Sequence, residues 1–432
     1  FSNYQYSESD LSSINDNEIF AVCVDNYDNV WIGSSKRGIS KYSPTESRFN
    51  LFKPESFAVK ELPINDITAV YADNENLLWL GTNGNGILVY QLDDNYYPVK
   101  LLFELKKNDK SGLSSNYITS IIKDKDGFYW IGTLAGGLIR FNMLASKIEI
   151  FKNNRDDSLS LSNNYINTIY EDSRGEIWIG TSAGGVNKFN KQNNSFVRYV
   201  YDPGKPQQNL NSPEVTSIYE DNNGNLLFGT TTGGLNLFNR NTKQFTHHTF
   251  SNENTSGISS RKILCIYKDK NRRIWIGTYG GGLNLFSNNS FVHYSEKDGL
   301  SSNIIYSISE DNLGNLWLTT NKGLSRFNPK SREVKNFDES DGLQGKEFNP
   351  RAITKMPGSG VIYFGGTKGL NIYNQHAITG IQNLPAVVFS DFKVFNQSII
   401  PGDESPFNES ISYAKEINLS HDQDVISFSF AS

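Results

Sequence analysis

A short apolar run ending in glycine returns along nearly the whole chain, at Gly33, Gly81, Gly132, Gly180, Gly229 and Gly277, and then at Thr319 and Gly365 in degenerate copies. Successive copies are about 42 to 51 residues apart. A period of that length, with turn signals at fixed offsets, means a propeller or a similar repeat array, because each unit leaves faces that only a neighbour can cover.

The copies explain why. Ile177-Trp178-Ile179-Gly180-Thr181 is typical, and Trp31, Trp79, Trp130, Trp178, Trp275 and Trp317 recur at the same place in the repeat. These runs are apolar on consecutive residues, which predicts a strand buried on both faces between stacked sheets, with the tryptophans in blade core. A first strand precedes each run, a third follows and ends on an aromatic residue (Phe141, Phe189, Phe238, Phe286), and a fourth carries a spaced aromatic pair such as Phe196 and Tyr199. The expected fold is therefore an all-β propeller of four-stranded blades.

Two motifs invite a sharper reading. Asp-x-x-Gly, as in Asp124 to Gly127 and Asp172 to Gly175, has the form of a turn in which Asp caps with its side chain and Gly supplies a positive φ. A calcium loop would need further carboxylates, which most copies lack. The pairs Gly136-Gly137, Gly184-Gly185 and Gly233-Gly234 precede no helix, so they read as hairpin turns and not as phosphate-binding loops.

Eight repeats can be counted. The chain opens on a fourth-strand signal, Phe1 to Tyr4, and its last repeat ends on a third strand at Tyr373, so pairing of the two ends would close a ring of eight without a free edge. Beyond Tyr373 the repeats stop, and 385–396 and 424–430 have strand-like composition without forming a blade.

Bulk properties remove some function classes. With 41 basic and 46 acidic residues there is no electrostatic reason to expect nucleic acid or an anionic membrane as a partner. There is no run of 18 apolar residues, and the chain starts Phe1-Ser2-Asn3-Tyr4 without an initiator Met or a signal-peptide pattern, which reads as a piece of a longer protein. Cys23 and Cys265 lie in strands of distant repeats and are expected to be buried thiols. The five histidines show no metal-binding or triad spacing.

The pattern 159–166, followed by Glu171-Asp172-x-x-Gly175-x-Ile177-Trp178-Ile179-Gly180-Thr181 and Gly184-Gly185-Val186-Asn187-Lys188-Phe189, closely resembles the two-component regulator propeller repeat. The tail resembles the opening of the immunoglobulin-like triple-tyrosine domain that follows such propellers. Together they are similar to the periplasmic sensor half of Bacteroidetes hybrid two-component systems, which respond to glycan fragments. That resemblance implies seven blades over 49–376, with 1–48 as the final blade of a preceding propeller and 384–432 as the start of a sandwich. It further implies an oligosaccharide ligand, a homodimer in the full-length receptor, a membrane contact only through a downstream helix, and a histidine kinase beyond this chain. No cofactor, metal or catalytic residue is implied.

Where would a ligand sit? In a propeller the loops joining second to third strands and fourth to first strands share one face near the axis. That face is expected to carry Lys36, Arg37, Asn83, Asn85, Tyr117, Tyr165, Arg261, Lys262, Tyr279, Asn321, Lys322 and Lys368. Tyr279 stands out because Asn83, Leu134, Ser182 and Thr231 hold the equivalent places, so the repeat does not demand an aromatic there. Sugar stacking is the functional reading, and an ordinary exposed tyrosine is the alternative. A propeller glycosidase or lyase and a protein-interaction scaffold are the competing functions. The acidic residues scattered through the loops carry no local signature that selects a catalytic pair.

Overall fold

The computed structural model describes residues 4–6, 13–25, 29–42, 49–54, 66–107, 112–254, 256–375, 388–402 and 405–431. Blade 1 contains Ile67–Ala72, Leu77–Thr82, Ile87–Leu92 and Pro98–Leu105, paired antiparallel in chain order. Blades 2 to 6 repeat this arrangement, beginning with Ile118–Lys123, Ile166–Glu171, Val215–Glu220, Ile263–Lys268 and Ile305–Glu310. Blade 7 has Phe348–Lys355, Val361–Gly366 and Gly369–Asn374 from the end of the ring, and its fourth strand is Asn50–Phe52. The first strands of successive blades contact each other in order, and that of blade 7 contacts that of blade 1. The ring therefore has seven blades.

Closure differs from the eight-bladed expectation in an informative way. The two ends of the ring do exchange a strand, with Leu370 opposite Phe52 and Ile372 opposite Asn50. The donor is the fourth-strand segment of the first repeat; of the expected donor, Phe1 to Tyr4, residues 1–3 lie outside the described residues. Phe49 seals the seam, buried against Trp317, Phe337, Phe364 and Tyr373. Having lent its fourth strand, the first repeat keeps a three-stranded sheet, Ile19–Val24, Val30–Ser34 and Ile39–Tyr42.

This sheet corrects two expectations. Trp31 is 37% exposed, whereas Trp79, Trp130, Trp178, Trp275 and Trp317 are buried, and Cys23 is exposed while Cys265 is buried. The sequence of the first repeat is ordinary for the array. What differs is that no described blade covers its faces, and a propeller blade buries its apolar residues only against neighbours. Phe20, Val22, Val24 and Ile39 are exposed for the same reason.

Within the ring, second strands are buried along their whole length, for example Tyr129–Thr133 and Ile177–Thr181. Trp130 and Leu138 of blade 2 pack with Ile166, Ile179 and Phe189 of blade 3. Burying a large aromatic in this way is worth about 2–3 kcal/mol. The Asp-x-x-Gly motif latches that core. One oxygen of Asp172 accepts from the backbone N–H groups of Arg174 and Glu176, and the other accepts from Trp178 Nε1 at 2.7 Å. Asp124, Asp269 and Asp311 bind Trp130, Trp275 and Trp317 in the same manner. In blade 1 the latch is diverted: Asp73 accepts from the Tyr129 hydroxyl at 2.6 Å, and Trp79 Nε1 is left without a partner.

His248, on the fourth strand of blade 4, packs edge-on against Phe286 and Phe291 of blade 5. Burial, reinforced by His247, holds its pKa below 6.5. A depressed histidine pKa gives stability that is present above the unfolded value of about 6.5 and is lost as pH falls through the folded value. Thermal unfolding should therefore shift to lower temperature on acidification below about pH 6.5. His248→Phe should flatten that part of the profile, and an unchanged profile would refute the assignment.

After the ring, Val388–Val394, Gln397–Ser398 and Ile426–Ala431 form a small antiparallel sheet. Phe392 and Val394 pack there on Phe407 and Ile411.

Candidate ligand-binding face

Blades 1 to 5 each deliver three variable residues to the face that carries their second-to-third and fourth-to-first loops. The first is the residue just before the first strand: Asp66, Tyr117, Tyr165, Glu214 and Lys262 in blades 1 to 5. The second opens the second-to-third loop: Asn83, Leu134, Ser182, Thr231 and Tyr279. Backbone bonds of 2.9–3.3 Å, such as Leu134 N to Tyr117 O and Tyr279 N to Lys262 O, hold the two side by side in all five blades.

The third residue is an unpaired one near the start of each first strand. Register slips by one residue there, leaving Thr68, Thr119, Asn167, Thr216, Leu264 and Tyr306 without a partner on the second strand. A bulge of this kind re-aims side chains and tightens twist, which suits a rim around an axis. Three of the polar members bond to a backbone carbonyl of the next blade: Thr68 Oγ1 donates to Ile118 O at 2.6 Å, and Thr216 Oγ1 donates to Ile263 O at 2.7 Å. Asn167 Nδ2 does the same to Val215 O at 3.1 Å.

Buried asparagines fix the loops behind this rim. Asn187, Asn236 and Asn284, on third strands, each accept a backbone N–H from the preceding fourth-to-first loop, from Ser162, Asn211 and Ser259. The glycine pairs complete the join, because Gly185 N donates to Pro213 O and Gly234 N to Arg261 O of the next blade's loop. The pairs are tight turns, as their sequence context requires.

Most of the expected site residues meet on this face. Tyr117, Tyr165 and Tyr279 are each about half exposed. The ring of Tyr117 lies over Gly84, and Lys262 Nζ sits 4.4 Å from the centre of the Tyr279 ring. Asn83 binds Asp66, which also accepts from Asn349 at 2.7 Å. Asn85, Arg261 and Lys368 are exposed on the loops, and Lys322 Nζ is held by Glu296 at 3.2 Å. Asn321 is tied to Ser302. Lys36 and Arg37 are not brought to this rim: they belong to the separate three-stranded sheet, where Lys36 lies 3.7 Å from Glu18 and Arg37 covers the Tyr6 ring.

Sequence reasoning missed the bulged residues, because a one-residue slip leaves no mark in the repeat period. Tyr306 is the most notable. Its hydroxyl lies 3.4 Å from Glu347 Oε1, and burial together with that carboxylate raises its pKa. A groove of about 630 Å³ exists elsewhere, on the opposite face between blades 2 and 3. Four of its charges pair with one another, Lys188 with Glu176 and Lys191 with Asp126.

A sequence profile described as "Two component regulator propeller" matches residues 13–36, 61–84, 112–135, 160–183, 209–232, 257–280 and 299–322. Seven segments of the chain are two-component regulator propeller repeats. These matched stretches cover the first repeat and blades 1 to 6 and end ahead of blade 7. Among solved structures, the propeller is similar to the extracellular domain of a hybrid two component system from B. thetaiotaomicron, at 27% identity and a TM-score of 0.69, over 97% of this chain and 53% of that one. A second such domain from B. thetaiotaomicron matches at 21% identity and a TM-score of 0.64, over 100% of this chain and 55% of that one. Histidine kinase P4 of Formosa agariphila is 30% identical over 137 residues, which is 32% of this chain and 10% of that protein. The chain thus spans about half the length of the solved relatives and a tenth of the kinase. Virginiamycin B lyase of Staphylococcus aureus shares the fold alone, at 14% identity and a TM-score of 0.54 over 75% of this chain and 98% of the lyase.

Proposed function

We propose that this chain is the ligand-sensing part of a periplasmic hybrid two-component receptor, and that it binds an oligosaccharide at the axial rim without transforming it. The observation that carries this reading is the match of 97% of the chain to an extracellular domain of such a system. The rim supports the ligand class: exposed tyrosines on blades 2, 3 and 5 offer flat apolar faces for sugar rings, with asparagine, threonine and lysine groups beside them. The rim carboxylates are engaged by protein partners, Asp66 by Asn83 and Asn349 and Glu214 by Thr231, which favours binding over catalysis. Occupancy would be relayed through the segment after Tyr373 to the sheet at 388–431 and onward to a kinase in a dimeric full-length receptor that controls transcription.

We read the first repeat as the last blade of a preceding propeller. Its exposed Phe20, Val22, Ile39 and Trp31 are the residue types that the seven-bladed ring buries between blades. The sheet at 388–431 is then the opening of a sandwich.

Incubation of the purified chain with a panel of oligosaccharides should raise its melting temperature without forming product; product would favour an enzyme. Tyr279→Ala should weaken binding by about tenfold, which is about 1.4 kcal/mol, while leaving the melting temperature of the free protein unchanged. Full affinity in that variant would remove Tyr279 from the site.

A further inference from the structure

Blade 7 departs from the other six at the axis. Its first and second strands pair Phe348 with Gly366 and next Ile353 with Phe364, so Asn349, Pro350, Arg351 and Ala352 all lie opposite the single residue Gly365. Elsewhere in the ring one unpaired residue occupies this place. The enlarged bulge forms a crossbar. At one end Asn349 Nδ2 donates to Asp66 and to Ile67 O of blade 1, and at the other Arg351 N donates to Ser307 Oγ of blade 6. It also brings the first strands of blades 5 and 7, which are not neighbours in the ring, into contact.

Arg351 is the unusual residue of this crossbar. Its φ of 66° is left-handed, a conformation a non-glycine residue holds only when its surroundings enforce it. The residue is partly buried, and its Nε is shut off from solvent with no acceptor. The titratable groups that act on it come from two other blades, Cys265 of blade 5 and Glu214 of blade 4. Burial pushes the Cys265 thiol up to about 12, so it stays neutral and supplies no counter-charge. Glu214 spends Oε2 on the Thr231 hydroxyl, and among the described residues no carboxylate lies within ion-pair distance of Arg351. A guanidinium held partly buried with no carboxylate at ion-pair distance is costly, and its planar fork is shaped for a two-oxygen anion.

We propose that Arg351 receives a singly charged oxyanion of the ligand, so that the oligosaccharide is an acidic one bearing a carboxylate or a sulfate ester. This deepens the oligosaccharide reading and rests on it. Glu214, whose charge is felt at Arg351, opposes further negative charge there.

Calorimetric titration of the purified chain separates the outcomes. The probes are trisaccharides of galacturonate, glucuronate and mannuronate, 6-sulfated galactose trisaccharide, and the neutral galactose, glucose and mannose trisaccharides. An acidic probe should bind at least tenfold more tightly than its neutral counterpart, with the uronate and sulfate arms identifying the oxyanion. Arg351→Gln should abolish the difference, Arg351→Lys should restore only part of it, and Glu214→Gln should strengthen acidic binding, a gain that does not depend on how well the arginine variants fold. Equal binding of acidic and neutral probes, or an acidic preference that survives Arg351→Gln, would overturn this assignment and leave the oligosaccharide reading standing. Failure of every probe would overturn both.

Discussion

Arg240→Ala is expected to destabilise the protein by about 3–5 kcal/mol, the usual cost of removing one partner from a buried ion pair. Arg240 follows the third strand of blade 4 and is 5% exposed. Its Nη2 lies 2.5 Å from Asp172 Oδ2 in blade 3 and 3.7 Å from Glu220, and its Nη1 lies 3.8 Å from Glu176. Asp172 is the same carboxylate that latches Trp178, and it is fully buried. Removing the guanidinium leaves that charge inside the blade 3–4 seam with only neutral donors. Urea unfolding followed by tryptophan fluorescence measures the effect. A change under about 1 kcal/mol would mean the pair behaves as an exposed one. Ligand binding should be unaffected once the variant is folded, because Arg240 lies on the face opposite the rim.

Gly185→Ala should cost about 2–5 kcal/mol, combining the left-handed backbone penalty with overpacking. Gly185 has φ +71°, and a Cβ placed there would stand 2.2 Å from Tyr199 O and 3.1 Å from Leu210 Cδ1. The obstacle is backbone of the fourth strand, which cannot swing aside as a side chain can. Gly175→Ala is the informative comparison: its φ of +74° is similar, and the nearest atom is the flexible end of Glu171 at 3.7 Å. That variant should show only the backbone penalty, about 1–2 kcal/mol. Equal losses in the two variants would show that the carbonyl contact at Gly185 relaxes freely.

The contrast between these glycines bears on how much could be read from the chain alone. Both looked like turn residues, and both are; only the packing of the fourth strand makes one of them far less replaceable. The same division applies to the rim. Tyr117, Tyr165 and Tyr279 could be placed on one face from the repeat, because strand order and loop polarity follow from periodicity. Thr68, Asn167, Thr216 and Tyr306 could not be singled out, since a bulge is a slip between strands and leaves no trace in either strand's own pattern.

Everything that repeats was legible in the chain: four strands per blade, second strands buried on both faces, and Asp-x-x-Gly turns between first and second strands. Those features arise from contacts between residues a fixed distance apart in the chain, so each copy states them again. The tertiary structure alone decided what occurs once. Phe49 to Phe52 closes the ring at seven blades and leaves Trp31 uncovered, Arg240 reaches back to Asp172, and the blade 7 crossbar ties Arg351 to Ser307 of blade 6. Each of these joins segments distant in sequence across a single seam, where no second copy exists to reveal the rule.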